Sequence, residues 1–261
     1  MDKRKNDSLQ DNSFESEDYI YGKNPVLEYI RSQKPVNRIM LMEGINPSTY
    51  AQIMNESKKY NVEVRIVKAS QINNIAPQSV HQGVIAYISP VTYCDVEDIF
   101  NKVKEDGEIP FILILDGLTD SRNIGAVIRS AEAAGVHGVI MAKRRAAAIN
   151  AASVKASAGA VGKMLIARVS NIASTIDELK DKGLWITGAD IAGTQPYYMC
   201  DFKGPVALVI GSEDKGISRL VMEKCDFLSK IPMKGTMNSL NVSVATGIFL
   251  FEALKQRMND R

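Results

Sequence analysis

Three polar segments carry the side chains from which chemistry could be built, and each follows an apolar run. The first is Asp116-Gly-Leu-Thr-Asp-Ser-Arg-Asn-Ile-Gly-Ala-Val-Ile-Arg-Ser130. Asn123 is placed to cap a following helix. Ile124, Val127, Ile128 and Ala131 recur at i, i+3, i+4 and i+7 as that helix's apolar stripe. Arg129 lies about 100° round from Ile128, so a cation stands beside a buried face. Such a charge snorkels to solvent, pairs with a carboxylate or meets a ligand. The second segment is Gly211-Ser-Glu-Asp-Lys-Gly216, a glycine-rich strand-to-helix turn. Turns of that kind often hold phosphates or dinucleotides. This one matches neither G-x-G-x-x-G nor G-x-x-x-x-G-K-[ST], and taken alone it reads as an ordinary tight turn. The third runs from Ile231 to Ala245. Ser239 can cap the last helix, and Asn238 and Asn241 add amide groups at its start.

The elements that must position these segments alternate. After Pro110 a continuous apolar run, Phe111 to Leu115, ends in Asp116. Such a run suits a parallel strand covered on both faces. Helix 124–134, strand 136–141, helix 151–161, strand 164–169, helix 171–182 and strand 184–189 follow. Strand 205–210 precedes helix 217–224, and strand 228–232 precedes a last helix over 239–257. This alternation predicts an α/β domain with a parallel sheet. Ligands in such sheets sit beyond the carboxyl ends of the strands, which is where all three polar segments fall. The last helix is apolar almost all round, from Val242 to Leu254. Such a helix must be covered on every side, and a subunit interface is a natural cover.

Upstream lies a smaller α/β unit. Asn24-Pro25 reads as a cap followed by proline at the first helical position, opening a helix through Ile30. A strand over 38–42, a helix over 47–59, a strand over 62–67 and a strand over 84–89 complete it. Residues 1–16 hold only Met1, Leu9 and Phe14 as large apolar groups, too few to offset chain entropy, and are expected to be a disordered tail. The domain organisation expected is therefore tail 1–16, small domain 17–90, linker 91–106 with a short acidic helix, and main domain 107–261.

Composition excludes several classes. The chain has 261 residues, 45% hydrophobic and 24% charged, a globular balance that rules out whole-chain disorder, collagen and coiled coil. Cys94, Cys200 and Cys225 stand far apart, which implies no disulfide framework, fits a cytoplasmic setting and fails the usual zinc spacings. With only His81 and His137, no histidine-rich metal site is expected, and the site is read as metal-free. No apolar run is long enough to span a bilayer. The net charge of +2, from 32 basic and 30 acidic residues, leaves nucleic-acid binding to local patches. Lys143-Arg144-Arg145, just past a strand end, is one such patch and equally reads as a solvated loop.

Taken together and in order, the three segments resemble the signature motifs of the SpoU (TrmH-like) branch of the SPOUT RNA methyltransferases. Motif one is carried by Asp116, Asn123, Gly125, Arg129 and Gly135. Motif two is Leu208-Val-Ile-Gly-Ser-Glu213 with Gly216. Motif three is Ile231-Pro-Met with Ser239-Leu-Asn-Val-Ser-Val-Ala245. Tyr21-Gly-Lys-Asn-Pro-Val-Leu-Glu28 is similar to the small substrate-binding domain that precedes the catalytic domain in one subgroup. That subgroup includes the bacterial enzyme that 2′-O-methylates a guanosine of 23S ribosomal RNA. Two positions depart from the family pattern: Ser121 stands where proline is usual, and Asp214 where glycine is frequent.

The resemblance implies S-adenosylmethionine as methyl donor, a C-terminal trefoil knot and ribosomal RNA as substrate, with a tRNA-modifying or antibiotic-resistance enzyme of the same family as the alternative; the apolar last helix points to a homodimer. It places cofactor contacts on Gly211, Ile231, Met233 and Leu240. It places catalytic and structural polar roles on Asn123, Arg129, Glu213, Ser239 and Asn241. Neutralising an arginine of pKa about 12.5 at pH 7 takes roughly 7 kcal/mol, so Arg129 suits stabilisation of a developing alkoxide better than service as a literal base. Asn123 and Glu213 are then expected to orient it. A binding-only protein is disfavoured because every motif residue is present, and a nucleotide-binding oxidoreductase because the glycine fingerprint is absent.

Overall fold

The computed structural model describes residues 19–77, 79–144, 146–236 and 239–259. The expected tail lies outside them. The N-terminal unit runs β1 (Tyr19–Tyr21), α1 (Lys23–Arg31), β2 (Val36–Met42), α2 (Pro47–Lys59), β3 (Val64–Val67), α3 (Ala69–Ile75) and β4 (Val84–Ile88). Its sheet has the order β1-β4-β2-β3. β2 pairs antiparallel with β4 and parallel with β3, because α2 carries the chain back between β2 and β3. Strand β2 alternates, burying Asn37, Ile39 and Leu41, as a half-covered strand should. Those two apolar residues pack with Val26, Leu27, Ile30 and Ile53 from α1 and α2.

The start of α1 differs from expectation. Its cap is Gly22, with φ of +93°, and Asn24 and Pro25 lie inside the first turn. Proline is tolerated there because first-turn N–H groups have no intrahelical acceptor. β1 and α3 are too short to show a pattern in the sequence. By contrast α2 spans 47–59 as expected, with Asn46 accepting from the Ser48 and Thr49 N–H groups and Pro47 in the first turn.

The C-terminal unit adds α4 (Val96–Asp106), β5 (Phe111–Asp116), α5 (Ser121–Ala133), β6 (Gly138–Ala142), α6 (Ala151–Ala156), β7 (Leu165–Val169), α7 (Ile172–Asp181), β8 (Trp185–Ala189), β9 (Gln195–Pro196), β10 (Val206–Gly211), α8 (Arg219–Lys224), β11 (Phe227–Lys230) and α9 (Val242–Met258). The sheet order is β7-β6-β5-β10-β8-β11-β9, and every pairing is parallel. β10 is buried along its whole length and β5 over its apolar residues, so both need helices on each face. The chain steps outward from β5 to β7, then restarts beyond β5's other edge at β8. The crevice at such a reversal is where open α/β sheets bind ligands.

Two close contacts hold the helices near that crevice. A Cβ on Gly125 would stand 2.4 Å from the Ser153 carbonyl oxygen, so only glycine lets α5 lie this close to α6. The segment expected as a linker belongs to the second unit's packing: Ile99 of α4 is fully buried against Gly138, and Cys94 bridges to Ala167 beside β7.

Candidate active site

The three motif segments converge at the carboxyl ends of β5, β10 and β11. The meeting point is one carboxylate oxygen. Glu213 Oε1 accepts from Asn123 Nδ2 at 2.8 Å, from Asn241 Nδ2 at 3.0 Å and from the Val242 N–H at 3.5 Å. Asn241 Nδ2 also donates to Asn123 Oδ1 at 3.2 Å. Motifs one, two and three are thereby joined through the Glu213 side chain.

Local structure explains how each side chain gets there. α5 begins earlier than expected. Its cap is Asp120, whose Oδ1 accepts from the Arg122 N–H at 2.8 Å. Asn123 therefore sits within the first turn, not at the cap, and its amide is free to reach Glu213. Ser121 is the first helical residue and is buried. That position favours proline, which accounts for the family's usual residue there. The last helix begins later than expected. Asn241 is its cap, with Oδ1 accepting from the Ser243 N–H at 2.9 Å, and Ser239 lies two residues outside the helix and exposed. Asn238 lies outside the described residues.

Motif two is a closed turn. Ser212 and Gly216 exchange backbone hydrogen bonds of 3.0 and 2.9 Å. A Cβ on Gly211 would meet the Gly216 carbonyl carbon at 2.0 Å, so glycine there is demanded by backbone on backbone. Two acids with no bracing role expected of them, Asp116 of motif one and Asp190, hold this turn. Asp116 Oδ2 accepts from the Ser218 N–H at 2.7 Å. Asp190 Oδ2 lies 3.5 Å from the Ile217 N–H, while its Oδ1 accepts from Ala192 at 2.9 Å. Both close an apolar strand, and that shared placement is the signal that could have found them.

Beside this knot of hydrogen bonds opens a cleft of about 490 Å³, within the range of small-ligand sites. Gly211, Ile231, Met233 and Leu240, the expected cofactor contacts, all line it, as do Glu213 and Ser239. Ile210, Met222 and Phe249 add apolar wall, and Asp190 and Asp214 add carboxylates. Asp214, the departure from the family pattern, is exposed at this cleft.

Arg129 stands elsewhere. It is exposed, and no hydrogen bond or ion pair joins it to another described residue. The expectation that Asn123 and Glu213 orient it is not met in the single chain. Six residues along an α-helix turn the side chain about 240° and advance it about 9 Å, so Asn123 and Arg129 leave α5 on different faces. Neither lines the cleft of its own chain.

Residues 110–251 match the family model described as SpoU rRNA Methylase family. The chain belongs to the SpoU rRNA methylase family. Residues 19–94 match a second model, RNA 2′-O ribose methyltransferase substrate binding. The protein is thus an RNA methyltransferase with a small substrate-binding domain ahead of its SpoU domain. A Bacillus subtilis (strain 168) chain, YacO, assigned by its name to the TrmH family of tRNA/rRNA methyltransferases, is 38% identical over 240 residues, covering 92% of this chain and 96% of that one. A Staphylococcus aureus (strain MSSA476) chain with the same family assignment is 41% identical over 238 residues, covering 91% and 96%. Among solved structures, the SpoU methyltransferase AviRb from Streptomyces viridochromogenes in complex with the cofactor AdoMet superposes with a TM-score of 0.59. It is 25% identical and covers 93% of this chain and 91% of its own.

Proposed function

We propose that this SpoU protein transfers a methyl group from S-adenosylmethionine to the ribose 2′-OH of a guanosine in 23S ribosomal RNA. The observation that carries the cofactor assignment is the cleft itself. Its apolar walls suit an adenine ring and its carboxylates suit a cationic sulfonium and ammonium. When bound, S-adenosylmethionine supplies an electrophilic methyl group. Gly211, Ile231, Met233 and Leu240 would hold it, and Glu213 would fix motif three beside it through Asn241.

The chain's own work is alignment and charge control. Alignment of two reactants supplies a large share of the barrier reduction. Held in the cleft, the donor would supply the methyl group to the ribose oxygen, and the hydroxyl proton would pass to an RNA phosphate oxygen. The Arg129 guanidinium stabilises the alkoxide that develops. Asn123 and Asn241, locked by Glu213, hold the ends of α5 and α9 in register with the cleft.

Because Arg129 is exposed and stands outside its own cleft, the complete site is read as shared between two subunits. The face of α9 turned from its own chain supports a homodimer. Val244 is 52% exposed, Phe251 50% and Met258 66%, at spacings of seven residues along one helical side, with Tyr198 and Met199 exposed nearby. A dilute sample that is monomeric by light scattering and still fully active would overturn this assembly. Packing of α9 on α5, with Ile231, Met233 and Leu240 lining the same cleft as Ala189 and Gly211 at the ends of β8 and β10, supports the trefoil knot. The guanosine of 23S RNA rests on the family resemblance of residues 21–28 and 239–252. Mapping 2′-O-methyl groups in total RNA from a deletion strain tests it. Loss of one large-subunit ribosomal guanosine methyl is expected. Loss confined to a tRNA, or no loss in any RNA, would overturn the assignment.

A further inference from the structure

The junction between the small domain and the SpoU domain contains a second cleft, of about 480 Å³. It is built on a rigid hub. Asn37, 2% exposed on β2, donates to the Ile88 and Ile149 carbonyls at 3.1 and 2.9 Å and accepts from the Tyr93 hydroxyl at 2.8 Å. Arg168 on β7 lies over the Tyr93 ring at 4.9 Å and donates to the Asn37 and Lys143 carbonyls at 3.3 and 2.7 Å. Both cations of this wall, Lys143 and Arg168, are half-buried and line the cleft.

Neither forms a salt bridge with a carboxylate among the described residues. Two acids of the same lining are engaged. Glu63 accepts from Arg65 at 2.9 Å and faces Arg144 at 4.0 Å. Asp98 Oδ2 accepts from the Asp95 N–H at 2.9 Å at the start of α4, which leaves Asp95 as the carboxylate whose charge reaches Lys143. Lys143 feels the shortage of counter-charge: burial first, then Arg168, pull its pKa down, and Asp95 only partly restores it. Two adjacent half-buried cations, neither salt-bridged to a carboxylate among the described residues, make a place for an anion.

Position selects which anion. Lys143 follows β6, and Arg168 is near the end of β7. With β6 beside β5 and strands about 4.8 Å apart, they stand roughly 5 and 10 Å sideways from the strand that launches motif one. That is the same edge of the sheet as the methylation site, on the side where the substrate-binding domain docks.

We propose that this junction cleft holds a backbone phosphate of the substrate RNA, next to the nucleotide being methylated, with Lys143 and Arg168 as its cationic walls. The proposal rests on the chain's being an RNA methyltransferase. It gives the Lys143-Arg144 stretch separate tasks: Arg144 faces the small domain's Glu63, and Lys143 meets the RNA.

The test uses the full-length protein and total RNA from a strain lacking it, with radioactive methyl donor, plus binding of an unmethylated ribosomal RNA transcript between about 50 and 200 mM salt. Lys143→Met is expected to raise the KM for RNA several-fold with kcat and donor affinity unchanged. It is also expected to lower the slope of log affinity against log salt by about one. Lys143→Arg should retain the wild-type slope, and Lys143→Glu should weaken binding further. If wild-type protein methylates no RNA, the functional reading falls. If wild-type protein methylates and Lys143→Met keeps both its KM and its salt slope, the phosphate site falls instead.

Discussion

Two polar networks tie distant parts of this chain together, and they differ in what surrounds them. At the head of the SpoU motifs, Glu213 gathers Asn123 and Asn241 in a network open to solvent. At the domain junction, the buried amide of Asn37 gathers Tyr93, Ile88, Ile149 and Arg168 at the back of the second cleft. An exposed carboxylate trades its protein partners for water at little loss. A buried amide cannot, and each partner left unpaired costs a full desolvation penalty. The junction network therefore holds the two domains in one relation, whereas the motif network orients groups around a cleft and adds little to stability.

The largest expected effect falls outside both networks. Arg129→Ala is expected to lower kcat by about 10³-fold or more while S-adenosylmethionine affinity stays within a few-fold. Single-turnover methylation and calorimetric titration measure the two. Near-normal turnover would remove Arg129 from the chemistry and leave the motif network as the sole polar machinery.

Asn37→Ala comes next and strikes the buried network. It strands the Tyr93 hydroxyl and two carbonyls, and is expected to cost roughly 2–3 kcal/mol of unfolding free energy, read from urea titrations. A loss under about 0.5 kcal/mol would mean that the junction is wetter than its burial implies. Glu213→Ala sharpens the contrast from the other side. Its stability change is expected to stay within about 1 kcal/mol, whereas kcat drops about tenfold because three orienting hydrogen bonds go at once. An Ala variant that unfolds instead of slowing would turn the motif network into a structural one.

The smallest effect concerns the thiols. Burial, with Asp98 nearby, pushes Cys94 at the junction up to about 11, and burial with Asp226 pushes Cys225 up to about 12. Raising a thiol pKa lowers its thiolate fraction at every pH below that value. Iodoacetamide should therefore modify both slowly at pH 8 and faster by about tenfold per pH unit, with Cys94 ahead of Cys225. Fast labelling of Cys94 at pH 8 would show the junction opening on the timescale of the reaction.

Much of the molecule was legible before any coordinates. The apolar runs at 111–115 and 205–210 could only be covered parallel strands, and they became the buried centre of the sheet. Pro47 with Asn46 marked a helix start because both its backbone geometry and its cap are local. Motif residues were legible by type and order, and the cleft-lining set Gly211, Ile231, Met233 and Leu240 lies where strand ends must bring it. The helix starts at Asn24, Asn123 and Ser239 were misplaced for a common reason. Each stretch offers several residues able to cap, and local spacing does not choose among them; at Asn123 the amide is instead taken by Glu213.

What the sequence alone determined was periodicity, strand burial, helix content and the identity of polar groups at strand ends, all consequences of short-range geometry and hydrophobic pattern. Only the tertiary structure decided that one oxygen of Glu213 joins residues 90 and 28 positions away. It alone separated Arg129 from that network and seated Asn37 in a junction with residues more than a hundred positions distant. Such pairings depend on how the sheet order folds the chain back on itself. A hydrogen bond between remote residues leaves no trace in the local spacing of either.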